Sequence, residues 1–190
     1  MEQADLWNEF YSSQPRAWRG NARIPVPCSG KALDVGCGNG KTTSSLIDLG
    51  FEVTGIDFSE KAVQSCINQY GNDAEFLVSS ATDLPFEDGT FDYITAVHVL
   101  EHLAGEELSM AVSEFRRVLR PGGFVFTRTF TDRDLRSQKR ADGDIRYIYR
   151  TPEEMVSAFI GFGAMSSELV EGTTRFGEIR SRVECLFRKE

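Results

Sequence analysis

The chain has 190 residues, 41% hydrophobic and 26% charged, a composition ordinary for one globular domain with a buried core. Its net charge of -8 argues against a duplex DNA or RNA partner, whose affinity rests on Lys and Arg neutralising phosphates. No apolar run approaches the roughly 18 residues of a membrane helix, so no membrane partner is expected.

Taken in chain order, short β-rich runs alternate with amphipathic helical ones, the pattern of an α/β protein with a parallel sheet. A short helix is expected around DLWNEFY. KALDVG (31–36) reads as a first strand, KTTSSLIDLG (41–50) as a helix ended by Gly50, and EVTGID (52–57) as a second strand. Ser59 is the expected N-cap of a helix on which Ala62, Val63, Cys66, Ile67 and Tyr70 recur at helical spacing. AEFLVSS (74–80) and FDYITAV (91–97) are the third and fourth strands. Leu108, Ala111, Val112, Phe115 and Leu119 mark a long helix closed by Arg-Pro-Gly-Gly, and GGFVFTRTF (122–130) is the fifth strand. At TPEE (151–154), Thr151 is the cap, Pro152 the first helical residue and Glu154 the return of a capping box. MSSELVEG and SRVECLF are two further strand-like runs.

Cys28, Cys37, Cys66 and Cys185 form no C-x-x-C pair, so neither a zinc knuckle nor a redox motif is indicated. MEQADLWNEF carries no basic-then-apolar signal pattern, and the expectation is a cytoplasmic protein with free thiols.

The segment LDVGCGNGKTT (33–43) holds a glycine loop that lets backbone approach a ligand closely. A P-loop requires a glycine five residues before Gly40, where Val35 stands. A dinucleotide fingerprint requires glycine or alanine at its sixth position, where Lys41 or Thr43 stands, although Asp57 would suit a ribose in an NAD-type oxidoreductase. The third pattern, a strand with an acidic residue followed by G-x-G-x-G, is met by Asp34, Gly36, Gly38 and Gly40. In it the chain resembles the class I S-adenosylmethionine-dependent methyltransferases, of the small-molecule, type 11-like kind. VTGIDFS with Asp57, SSATDLPFEDGTFDYI, VHVLEHL and LRPGGFVF follow in the family's order, so that residues 30 to 130 carry the resemblance. WNEFYSSQPRAWRG is similar to the N-terminus of tellurite-resistance and thiopurine methyltransferases; a packing helix with two aromatic anchors is the other reading.

The resemblance implies a Rossmann-like, seven-stranded, mostly parallel sheet of order 3-2-1-4-5-7-6, strand 7 antiparallel, with helices on both faces. It implies a single domain over 1–190, with a lid or cap segment at 1–29 and a substrate-side loop at 131–150. The implied cofactor is S-adenosyl-L-methionine, leaving as S-adenosyl-L-homocysteine. Asp34 would orient its methionine end, and the backbone of Gly36, Gly38, Asn39 and Gly40 would wrap it. Asp57 would accept the ribose hydroxyls, Phe58 would flank the adenine, and Val97 would offer a carbonyl to the amino group. Where the family carries Asp-Ala or Asn-Ala at the adenine, this chain has Ser80 and Ala81; Ala81 still offers a backbone N–H, and Asp83 could substitute for the missing carboxylate.

His98-Val99-Leu100-Glu101-His102 also spells H-x-x-E-H, the inverted zinc-protease signature. It follows strand four, where the family has its own Leu-Glu-His pattern, so no metal is assigned. His98 is expected at the strand's end as a general base or a pocket wall, and His102 one turn into the following helix.

Methyl transfer is an in-line displacement that mainly requires two reactants held close and aligned. The chain lacks the N/D-P-P-Y/F/W and Pro-Cys motifs of base methylases, so a small molecule is the expected acceptor. Between residues 128 and 150, seven cations stand against four aspartates: Arg128, Arg133, Arg136, Lys139, Arg140, Arg146 and Arg150. Arg146 and Arg150 are the candidates for holding an anionic group of the acceptor by forked hydrogen bonds. The alternatives are a solvated loop in that segment and, for the whole chain, a non-catalytic adenosyl-binding subunit or scaffold. A monomer or a homodimer is expected.

Overall fold

A computed structural model describes residues 3–13, 22–138 and 145–190. Trp18, Lys139 and Arg140 of the expected cap and loop therefore lie outside the described residues. In chain order the elements are α1 (Gln3–Ser13), β1 (Lys31–Val35), α2 (Lys41–Asp48), β2 (Glu52–Asp57), α3 (Glu60–Tyr70), β3 (Ala74–Val78) and β4 (Phe91–Val97). A 3-10 turn (Leu100–His102) leads to α4 (Gly105–Val118), β5 (Leu119–Phe130), α5 (Leu135–Gln138), α6 (Pro152–Ala158), β6 (Phe162–Thr173) and β7 (Ile179–Lys189).

The strands form one sheet of order β3-β2-β1-β4-β5-β7-β6, as expected. β1 pairs in parallel with β2 and β4, β2 with β3, and β4 with β5. β7 enters antiparallel between β5 and β6. Successive side chains on a strand face opposite sides. Leu33 and Val35 join a core with Phe115 of α4, Met155 of α6 and Phe187 of β7. Ala32 joins a second core with Leu46 of α2, Phe51 and Tyr93. Helices therefore cover both faces, which is why the central strands read as nearly continuous apolar runs. Cys37, Cys66 and Cys185 are buried and Cys28 is half-buried, all as free thiols.

The caps act where the sequence puts them. Ser59 Oγ accepts from the Ala62 N–H at 3.2 Å. Thr151 Oγ1 accepts from the Glu154 N–H, and Glu154 Oε2 accepts from the Thr151 N–H, closing a capping box.

Three elements differ from expectation. The third strand stops at Val78, and Ser80 bridges to Asp83 instead of continuing the sheet. The fifth strand begins at Leu119, because Arg-Pro-Gly-Gly is absorbed as an irregularity that shifts the pairing from Phe91↔Leu119 to Tyr93↔Phe124. His102 ends the 3-10 turn and does not lie one turn into a helix, since α4 starts only at Gly105.

Phe187 is fully buried and stacks on Phe159 with centroids 4.0 Å apart. Phe187→Ala is expected to lower stability by about 3–5 kcal/mol, read as a fall in the urea midpoint at unchanged m-value.

Candidate active site

All the parallel strands end on the same edge of the sheet, and the loops leaving β1, β2, β3 and β4 meet there. After β1, Gly36, Gly38 and Gly40 have φ of 68°, 54° and 82°, the left-handed region that glycine enters without strain. Space forbids side chains as well. A Cβ on Gly36 would stand 2.2 Å from Val99 Cγ2, and one on Gly38 2.6 Å from Tyr11 Oη.

Two carboxylates anchor this loop. Asp34, buried in β1, accepts from Thr43 Oγ1 of α2 at 2.6 Å and from Thr95 Oγ1 of β4 at 2.9 Å. Burial pushes its carboxyl up to about 6, against the hydroxyl donors that lower it. Asp57, at the end of β2, accepts from the Gly38 N–H through Oδ2 and the Ser59 N–H through Oδ1, each at 2.9 Å. Burial raises it to about 6 also, opposed by those amides. Each Asp57 oxygen keeps a second lone pair for a hydroxyl donor.

Two adjoining clefts open over the edge. The first, about 300 Å³, is bordered by Gly36, Asp57, Phe58, Ser80, Ala81 and Arg146. The second, about 160 Å³, is bordered by Gly38, Asn39, Val97, Arg128 and Phe130 among others. Gly36, His98, Trp7, Tyr11 and His102 border both, so the two communicate. Of the expected site residues, Asp34, Gly40 and Arg150 border neither. Asp34 acts from beneath, through Thr43 and Thr95, and Gly40 starts α2 as its N-cap. Asp83 is likewise outside both linings, while Ser80 Oγ pairs with Thr82 Oγ1 at 2.7 Å.

His98 has φ 61°, the only positive φ on a non-glycine among the described residues. Its ring stacks on Phe130 at 3.7 Å, and its Nδ1 lies 3.1 Å from Oε1 of the fully buried Glu101. Burial, followed by the fields of Arg136, Arg128 and Arg182, holds the imidazole well below its ordinary value, so it is neutral near pH 7. With Nδ1 turned to Glu101, Nε2 is the ring nitrogen left for another partner. The two histidines do not converge on a metal: His102 Nδ1 faces the Arg146 carbonyl at 2.8 Å. Among the described residues no group of three metal-ligating side chains occurs.

The forked donors expected from Arg146 and Arg150 are engaged inside the protein. Arg150 donates to the Leu100 and Leu103 carbonyls at 2.7 and 2.6 Å. Arg146 donates to the His102 carbonyl through Nε at 2.9 Å and through an Nη, and pairs with Glu107. Their targets are carbonyls of the 3-10 turn and of Leu103 just after it; the Leu100 carbonyl also accepts from the Leu103 N–H at 3.3 Å. Arg146 borders the first cleft and Arg150 borders neither. The cations that line the second cleft are Lys41, Arg128, Arg136, Arg180 and Arg182, of which Arg128 and Arg136 belong to the basic 128–150 segment. Arg180 and Arg182 were missed because their alternation on β7 points to the cleft only once that strand's register is known.

Asp34 and Asp57 hold their protons more tightly folded than unfolded. Their contribution to stability is therefore full below the ordinary carboxylate value of 3.8 and is lost as pH rises through about 6. Asp34→Asn is expected to gain on the wild type between pH 4 and pH 7, by on the order of 3 kcal/mol, in urea denaturation at the two pH values. A constant difference between the two proteins would refute the raised carboxyl.

Residues 33–127 match the family described as methyltransferase domain, type 11. The chain is 34% identical over 129 residues to demethylmenaquinone methyltransferase of Staphylococcus haemolyticus, covering 64% of this chain and 53% of that one. It is 33% identical over 130 residues to ubiquinone biosynthesis O-methyltransferase of Thiobacillus denitrificans, covering 66% and 55%. It thus spans about half the length of these curated relatives. A crystal structure of a SAM-dependent methyltransferase from Methanosarcina mazei superposes with TM-score 0.71 at 25% identity, over 84% of this chain and 92% of that one. The matched half of the chain runs from the glycine-loop strand to the strand beneath the arginines, and on that match the chain belongs to the methyltransferase domain family.

Proposed function

We propose that this protein transfers a methyl group from S-adenosyl-L-methionine to a small-molecule acceptor by in-line displacement. The observation that carries the reading is Asp57. Its carboxylate closes a parallel strand, borders the larger cleft and is tied to the glycine loop by the Gly38 amide. The site fits the donor on its own evidence: two loop glycines border the clefts where a Cβ would collide, and an aspartate with spare acceptor capacity stands beside them. When bound, the sulfonium supplies an already activated methyl group, so the protein's task is alignment and exclusion of water.

Each residue has a role in that task. Asp57 accepts the ribose hydroxyls. Phe58, Ser80 and Ala81 border the adenine end of the first cleft, with the Ala81 N–H as a donor. Gly36, Gly38 and Asn39 present backbone, and Val97 borders the second cleft, where its carbonyl would take the cofactor's amino group. Asp34 and Gly40 position the loop from beneath. α1 and the segment 145–150 form the rim, and Trp7 and Tyr11 roof both clefts. His98, neutral and oriented by Glu101, takes a proton at Nε2 if the acceptor is protonated, and otherwise serves as a wall between the clefts.

Relatives named for demethylmenaquinone and for ubiquinone biosynthesis support a small-molecule acceptor. Among the described residues no helix is long and apolar enough to cross a membrane.

Calorimetric titration tests the reading. S-adenosylhomocysteine should bind in the micromolar range while NADH and ATP do not, and Asp57→Ala should weaken it at least about tenfold, or ~1.4 kcal/mol. Binding of NADH or ATP instead would overturn it. Binding of S-adenosylhomocysteine without turnover across a small-molecule acceptor screen would favour a non-catalytic subunit. With an acceptor in hand, His98→Gln should lower kcat about 10²-fold with S-adenosylhomocysteine affinity unchanged.

A further inference from the structure

One end of the first cleft is built from hydroxyls. Ser79, Ser80, Ala81 and Thr82 border it after β3, and Phe58 borders it from the end of β2. β3 is the outermost strand of the sheet and stops at Val78, so this turn leaves from the sheet's edge. Burial changes along the cleft. Asp57 is 5% exposed, whereas Phe58 is 38% exposed and Ser80 is open to solvent. The cleft therefore has a closed floor at the carboxylate and an open mouth at the turn.

The turn spends its hydrogen bonds on itself. The Thr82 N–H donates to Ser80 Oγ at 3.2 Å, and Ser80 Oγ and Thr82 Oγ1 share a hydrogen bond at 2.7 Å. The Asp83 N–H donates to the Ser80 carbonyl at 3.2 Å, and Ser79 Oγ donates to the Asp83 carbonyl at 3.0 Å. These short-range bonds from hydroxyl to backbone are what close the turn. The acids nearby are occupied or turned elsewhere. Asp83 borders neither cleft. Asp57 accepts from the Gly38 and Ser59 amides and keeps its remaining capacity for the ribose. Glu107, the other acid that borders this cleft, accepts from the Ala104 N–H at 2.7 Å and pairs with Arg146.

We propose that this site recognises the ribose of its adenosyl ligand and leaves the 6-amino group of the purine unread, with Ser80 setting that tolerance. Ligands that lack the amino group, or carry a substituent on it, bind about as well as the unmodified one. The proposal rests on the methyl-transfer reading for the ligand, and on the 79–83 turn for the specificity. A carboxylate at position 80 would give the amino group a charge-assisted acceptor, roughly twice as strong as a neutral one. A serine hydroxyl already held by Thr82, at a mouth open to water, gives it little that water does not.

Calorimetric titration tests this with three ligands: S-adenosylhomocysteine, its 6-deamino analogue, and an analogue with a benzyl group on the 6-amino nitrogen. In the wild type the three affinities should lie within about threefold of each other. Ser80→Asp should create a preference of about tenfold for S-adenosylhomocysteine over the deamino analogue. Asp83→Asn should leave the three affinities in their wild-type ratio, and Asp57→Ala should weaken all three alike. A wild-type preference of tenfold or more for the amino-bearing ligand would overturn the proposal and keep the methyl-transfer reading. So would failure of the benzyl analogue to bind, or a loss in Asp83→Asn confined to S-adenosylhomocysteine. A Ser80→Asp protein that still binds the first two ligands equally would remove Ser80 as the determinant. If none of the three binds to the wild type, the methyl-transfer reading falls and takes the proposal with it.

Discussion

The hydrogen-bonded carboxylate of Asp34 is the constraint on which the rest of the edge depends. It lies under the glycine loop and accepts from Thr43 at the start of α2 and from Thr95 inside β4. Three elements that must agree in position are thereby joined through one buried group. A carboxylate in such a place carries a large desolvation cost, and two hydroxyl donors offset only part of it, which is why its proton affinity rises. Asp57 repeats the arrangement from the side of β2, taking the Gly38 amide at the loop's middle. The loop is thus held from below by one aspartate and from the side by another. That leaves the backbone of three glycines as the surface a ligand meets, with little reorganisation required on binding.

The electrostatics of the edge divide along His98. On the Asp57 side the lining mixes apolar groups with Asp57, small hydroxyls and the Arg146–Glu107 pair, and on the other side it is cationic. His98 feels both. Burial and three arginine fields act in the same direction on its ring, and they outweigh the pull of Asp134 towards protonation. The stacking on Phe130 and the 3.1 Å contact with Glu101 then fix which way the neutral ring faces. The left-handed backbone at this residue costs on the order of 1–3 kcal/mol, and such strain persists only where the surroundings over-determine it. Here those surroundings are the His98 N–H donating to the Arg128 carbonyl at 2.7 Å, the ring stack and the buried glutamate.

The sheet was legible in the sequence because its signals are local. Strand runs, the Ser59 and Thr151 caps and the glycine spacing each depend on residues within one or two turns of each other. Family resemblance supplied the strand order, which no local pattern contains. The rest depends on contacts between residues distant in sequence. Arg146 and Arg150 look like substrate donors in a basic segment, yet the carbonyls they satisfy lie more than forty residues earlier, at Leu100, His102 and Leu103. The cationic wall draws Arg128 and Arg136 from that segment but Arg180 and Arg182 from β7, and only the antiparallel register brings them to one face. Likewise the H-x-x-E-H run suggests a helix with its histidines on one side. The positive φ at His98 breaks that geometry at its first residue, which leaves the strand's end as a sharp turn and lets Glu101 fold back beneath the ring.

Arg146 and Arg150 also explain how the rim is built. A short 3-10 turn satisfies few of its own carbonyls, and this one sits at the strand end that carries His98. Arg150 and Arg146 fill those acceptors from the 145–150 segment, and the Ile148 N–H adds a bond to the Glu101 carbonyl at 2.7 Å. α1 then closes over the result. Trp7 packs edge-on against His102 with centroids 5.0 Å apart, Gln3 Oε1 accepts from the Arg146 N–H, and Asn8 Oδ1 accepts from Ser59 Oγ at the start of α3. Three segments far apart in sequence therefore meet at one turn, and that turn separates the two clefts. α1 thus touches this turn through the Trp7–His102 ring contact and the Gln3–Arg146 bond, while Glu101 is held from the other side by the Ile148 amide, so the rim and the base of the site rest on the same three residues of chain.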